Sequence, residues 1–184
     1  MTQLSGTAVA VLGLLALRPR SGYEIKQTLD KTTRFFWNAS YGQIYPELRR
    51  LAAAGLVEGE DAPRGGRART VYSLTDEGRR RLEEWLADPG FRVDIRDEGL
   101  LKLFFADLLP GEAALELLRI RRAAHQGILE QLRQIESGPP FVGGRAYPDV
   151  VLSYGIGFHS WAAGWCEQME RKLKREAAKA AKPL

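Results

Sequence analysis

A mainly α-helical fold interrupted by one small β-hairpin is predicted for this chain of 184 residues. Three observations predict it. Two capping boxes, "SGYE" at Ser21 to Glu24 and "SYGQ" at Ser40 to Gln43, each open a helical pattern of apolar residues. Two short strand-like runs, "LVEGE" and "RTVYSL", flank the Pro and Gly turn cluster "DAPRGGRA". The second half reads as helix, broken only at proline and glycine clusters.

The first helix is expected from about Thr7 to Leu17, ended by Pro19. In the second, the Ser21 hydroxyl accepts from the amide three residues on while Glu24 reaches back, with Tyr23, Ile25 and Leu29 near the inner face. The third runs from a Ser40 cap to Gly55, with Ile44, Leu48 and Leu51 recurring at helical spacing. Pro46 conflicts with that start, because deep in a helix a proline costs about 3 kcal/mol. An irregular first turn is therefore expected there. The hairpin places Tyr72 and Leu74 on one face and Val71 and Ser73 on the other. Thr75 then caps a fourth helix reaching about Asp88, with Asp76 and Glu77 in the turn where the helix dipole favours acids.

The break "ADPGF" sets the expected boundary between domains 1–89 and 90–184. Beyond it, "GLLKLFFADLL" ends at Pro110, a long helix follows from Gly111 to Ser137, and a last helix begins near Pro148. The last helix carries an apolar stripe of Val151 (or Val150), Tyr154, Phe158, Trp161, Trp165, Met169 and Leu173, in steps of three and four. A stripe that long exceeds what one small domain covers, so a partner helix from a second copy is expected.

A hydrophobic content of 45% fills a core without a metal or disulfide staple. The single Cys166 excludes an intrachain disulfide, and with only His125 and His159 no zinc set assembles; no cofactor is expected. The apolar run from Ala8 to Leu17 is too short to span a bilayer and has no basic segment before it, so a cytoplasmic location is expected. Without a Gly-rich phosphate loop, a metal set or a usable carboxylate pair, an enzyme is not expected.

Three helices, a hairpin and a fourth helix are the order of a winged helix-turn-helix, in which the third helix enters the major groove of double-stranded DNA. Asn38, Ser40, Tyr41, Gln43 and Tyr45 surround the exposed start of that helix and are the candidate groove readers. Gln43 has the chemistry to read an adenine edge. Arg49 and Arg50 further along, and Arg64, Arg67 and Arg69 in the hairpin turn, are candidate phosphate contacts. The net charge of +4 permits such a partner without requiring it. Phe35, Phe36 and Trp37 are read as a wedge holding the third helix in place. Trp161 and Trp165, one turn apart, belong to the predicted dimer core; a second reading joins them with His159 in stacking a small planar ligand. Cys166 is read as a small core residue, with redox sensing as the second reading.

"AVAVLGLLALRPRSGYEI", "YGQIYPELRRLAAAGLVEGE" and "RGGRARTVYSLTDEGRRRLEEWL" resemble the PadR family of transcriptional regulators. The helical second half, through Gly157 and Trp165, resembles members with the longer virulence-activator-type C-terminal domain. The most specific matches are Tyr45-Pro46 with Leu48 and Leu51, Gly55-Leu56, Arg67 with Tyr72, and Thr75 with Gly78. What the resemblance implies is a homodimeric DNA-binding regulator, commonly a repressor, on a pseudo-palindromic operator, often responsive to small aromatic molecules. The alternative is a helical homodimer that binds a small molecule or protein without binding DNA. The arginines of the hairpin turn discriminate between the two, since a module retired from DNA has no need of them.

Overall fold

The computed structural model describes residues 4–61, 69–90, 96–109, 113–138 and 146–180. The chain divides into two compact units, Met1–Arg92 and Val93–Leu184.

In the first unit, α1 (Gly6–Leu15) starts where the Ser5 hydroxyl accepts from the Ala8 amide, and ends two residues short of Leu17. Two residues, Arg20 and Ser21, form a strand, β1, which the sequence reading lacked. Ser21 also caps α2 (Gly22–Lys31) through the expected box with Glu24. The helix α3 (Tyr41–Ala53) closes in a Schellman turn: Gly55, at φ +69°, lets the Leu56 amide return 2.9 Å to the Leu51 carbonyl. Strands β2 (Val57–Asp61) and β3 (Thr70–Leu74) make the hairpin, and β3 lies between β1 and β2 in an antiparallel sheet. Thr75 caps α4 (Asp76–Ala87) and donates 2.8 Å to the Gly55 carbonyl. Only glycine fits at position 78, since a Cβ there would stand 2.0 Å from the Leu56 carbonyl oxygen.

The core of this unit is complete in itself. Val11 and Leu12 of α1, Ile25 and Leu29 of α2, and Ile44, Leu48 and Leu51 of α3 exclude water, and Tyr72 and Leu74 pack against them. Tyr23 departs from the inner face assigned to it: it stands two residues from Ile25, a rotation of roughly 200° around the helix, and is more than half exposed.

The second unit is a helical hairpin with a short helix. Asp97 caps α5 (Glu98–Phe104), and a single 3-10 turn, Ala106–Leu108, follows. The long helices α6 (Ala113–Glu136) and α7 (Ala146–Ala180) pack on each other. The face of α7 buried by this pairing consists of His159, Ala162, Ala163, Cys166 and Glu170, mostly small or polar side chains. Among the described residues, no helix is long and apolar enough to cross a membrane.

Candidate nucleic-acid interface

The N-terminal half of α3 exposes Asn38, Ser40, Tyr41, Gln43 and Tyr45 while Ile44, Leu48 and Leu51 are fully buried beneath. Polar side chains and one buried stripe thus share a single helix, the arrangement a groove-reading helix requires. Pro46 disturbs it little. The helix is continuous from Tyr41; the expected irregularity reduces to the Ser40 carbonyl accepting from both Gln43 and Ile44 at 3.0 Å. The donor missing at Pro46 would have served the Gly42 carbonyl, whose residue is open to solvent.

The direction of Gln43 was not legible from its residue type. Its Oε1 accepts from the Ser40 amide at 2.9 Å and the Ser40 hydroxyl at 3.2 Å, so its carbonyl end faces its own helix cap. Reading adenine takes both ends of the amide, one accepting and one donating, and here the accepting end is engaged.

Beside it lies a row of tyrosines. The Tyr23 and Tyr41 rings stack at 6.4 Å and those of Tyr41 and Tyr45 at 6.2 Å, with the Lys26 ammonium 5.9 Å from the Tyr41 ring centre. Gly22 makes the row close, because a Cβ there would stand 2.6 Å from Tyr45 Cε1. Tyr23, Lys26 and Gln27, whose amide donates 2.9 Å to the Tyr23 hydroxyl, extend this polar face onto α2. Sequence reading missed them; the signal was the 200° offset of Tyr23 from Ile25.

The candidate arginines differ in their commitments. Arg49 is exposed and forms no ion pair among the described residues. Arg50 is bound to Glu47 one turn back, which holds its guanidinium pKa above the ordinary value. Arg64 and Arg67 lie outside the described residues. Arg69, expected in the hairpin turn as a phosphate contact, instead precedes β3 and pairs with Glu24. Glu24 Oε2 also accepts from the Ser21 amide at 2.9 Å and hydroxyl at 3.0 Å. These donors, the Ser21 amide first, pull the Glu24 pKa down to about 2. A capping box thereby becomes the anchor of the wing: one carboxylate joins the start of α2 to the base of β3. Of the three aromatics expected to wedge α3, Trp37 lies over Gly6 of α1 and is itself 44% exposed, Phe35 is half-buried under the Arg34 guanidinium, and Phe36 is exposed.

In the second unit, the predicted stripe is the outer face of α7. Val151, Tyr154, Phe158 and Trp161 are exposed, Trp165 and Met169 half-buried. Tyr154 and Phe158 stack at 6.4 Å, and Phe158 and Trp161 also lie 6.4 Å apart. His159 is on the other side. It is buried against α6, its Nδ1 2.9 Å from that of His125, and burial pushes both imidazole pKa values down. The structure therefore separates His159 from Trp161 instead of joining them around one ligand. Burial likewise pushes the Cys166 thiol up, which fits a core residue. Arg121 grips Asp97 through two 2.6 Å bonds and holds its carboxyl at about 2. No metal-binding cluster occurs among the described residues.

A helix-turn-helix with a wing, carried on a chain whose second unit displays an aromatic helix face, defines a class: the winged-helix regulators with a helical assembly module. The model of the transcriptional regulator PadR-like family matches residues 11–84, and that of the virulence activator alpha C-terminal domain matches 95–174. The negative transcriptional regulator PadR of Bacillus subtilis is 32% identical over 126 residues, 67% of this chain and 69% of its own length. The structure of Bacillus subtilis PadR with operator DNA superposes with a TM-score of 0.80 at 27% identity, covering 90% of this chain and 97% of that one. The same protein with p-coumaric acid gives a TM-score of 0.73 at 26% identity, over 91% and 98%. The chain belongs to the PadR family of transcriptional regulators.

Proposed function

We propose that this chain binds double-stranded DNA sequence-specifically as a homodimer and represses transcription from a pseudo-palindromic operator with half-sites about one helical turn apart. The observation that carries the proposal is the two-sided character of α3: an apolar side fully sealed into the core and a side of Ser40, Tyr41, Gln43 and Tyr45 left open. In it, those residues with Asn38 face the groove, Arg49, Arg50, Arg64 and Arg67 neutralise phosphates, and Arg69 acts through Glu24. Val151, Tyr154, Phe158, Trp161, Trp165 and Met169 form the dimer seam. Bacillus subtilis PadR, solved both on operator DNA and with p-coumaric acid, supports a repressor released by a small aromatic acid. Trp161 and Trp165 remain the candidates to stack it, without His159.

The test is fluorescence anisotropy of the full chain on a labelled duplex from upstream of its own gene and on a random duplex, over a series of salt concentrations. Roughly a thousandfold preference for the first, with affinity falling steeply in salt on both, is expected. Equal affinity for the two duplexes, or no binding at low salt, would overturn the proposal. Adding p-coumaric acid should release the specific complex.

A further inference from the structure

The capping box at the start of α3 restricts what its glutamine can say to a base. A side-chain carbonyl oxygen has two lone pairs, and Gln43 Oε1 already accepts two hydrogen bonds, from the Ser40 amide at 2.9 Å and hydroxyl at 3.2 Å. Only the NH2 end is left for a partner. Turning the amide round would release the Ser40 amide at a helix start that already lacks the Pro46 donor, so the cap and an adenine contact compete.

Resting on the reading that α3 enters the major groove, we infer that Gln43 is a specificity-determining residue that works as a donor only and selects guanine. Guanine presents two adjacent acceptors there, O6 and N7, whereas adenine sets its own N6 donor beside N7 and would face the Gln43 amide with like polarity. Thymine offers O4 alone. The cap thus converts a residue that ordinarily reads adenine into one that rejects it.

The test compares duplexes enriched from a randomised library by the wild-type chain and by the variant Gln43→Glu. A glutamate keeps the capping box, as thermal unfolding of the variant will verify, and lacks the NH2 donors. Its added charge weakens binding to DNA in general and its carboxylate can accept only from a donor such as cytosine N4, so the readout is the loss of guanine preference and not affinity. The wild-type chain is expected to enrich guanine at one position in each half-site, with the preference falling roughly 5- to 10-fold in Gln43→Glu. Replacing that guanine by 7-deazaguanine should weaken the wild-type complex several-fold and leave the variant unaffected. An adenine or thymine at the position that responds to the variant, or an enriched motif indifferent to it, would overturn the inference and leave the regulator reading standing. Absence of any enriched motif with the wild-type chain would end both.

Discussion

The two units dispose of their apolar surface in opposite ways. The first turns Val11, Leu12, Ile25, Leu29, Ile44, Leu48 and Leu51 inward until at most 1% of any is exposed, and leaves outside the polar and tyrosine face of α3 with a few single apolar side chains such as Phe36 and Leu86. The second buries Leu115, Leu118, His125 and Leu132 of α6 and, on α7, alanines, Cys166, His159 and Glu170, and leaves its large aromatic groups outside: Tyr154 is 74% exposed, Trp161 64% and Phe104 78%. Burial stabilises in proportion to the apolar area removed from water, so the aromatic face of α7 carries apolar area that the pairing with α6 leaves uncovered, the area that the proposed dimer would bury.

The largest expected effect breaks the first half of that comparison. Leu48→Ala deletes a buried side chain from a sealed core and should lower stability by about 2–5 kcal/mol in urea denaturation. Dimerisation of the folded fraction should not change. If the variant unfolds no more easily than the wild type, the first unit does not carry its own stability.

Next comes the seam. Trp161→Glu places a charge on an exposed side chain, so it should leave the unfolding of a single chain within about 1 kcal/mol of wild type. Dimerisation should weaken by about 2–4 kcal/mol, roughly 30- to 1000-fold in sedimentation equilibrium, with operator affinity falling alongside. A variant that remains associated would put the seam elsewhere on the unit.

How much of this was legible follows from the range of the interactions involved. Ser21, Ser40 and Thr75 announce their helices because a cap is made by residues three apart, and Gly55 marks a turn that needs positive φ. The α7 stripe was readable because a helix repeats every few residues. The two-residue strand β1 was not: Arg20 and Ser21 are strand only because Tyr72 and Val71 lie beside them, about fifty positions along the chain. The Arg69 and Glu24 pair was hidden for the same reason, each residue having a sufficient local reading of its own, in the turn and in the cap. Gln43 had two good uses, and residue type alone did not say which atom serves which. His159 and Trp161 are close in sequence, but two residues along a helix point nearly opposite ways, one here into α6 and the other to solvent.

The smallest effect sharpens the comparison by showing what the first unit's wing anchor contributes. Glu24 titrates at about 2 when folded and near the ordinary value of about 4.5 when unfolded, so its folded pKa is depressed. Stability from a depressed carboxylate is fully present above the unfolded value and is lost as pH falls through that value toward the folded one. Between pH 5 and pH 2.5 the wild-type chain should therefore lose stability that Glu24→Gln does not lose, about 1 kcal/mol once solvent screening of the half-exposed pair with Arg69 is allowed for. Asp97 and Glu170 in the second unit titrate in the same window but are common to both proteins, so the difference between the two urea curves isolates Glu24. Parallel curves would mean that the charge on Glu24, held by the Ser21 amide first and by Arg69 after it, contributes nothing to the fold, and would leave the Arg69 guanidinium among the candidate phosphate contacts.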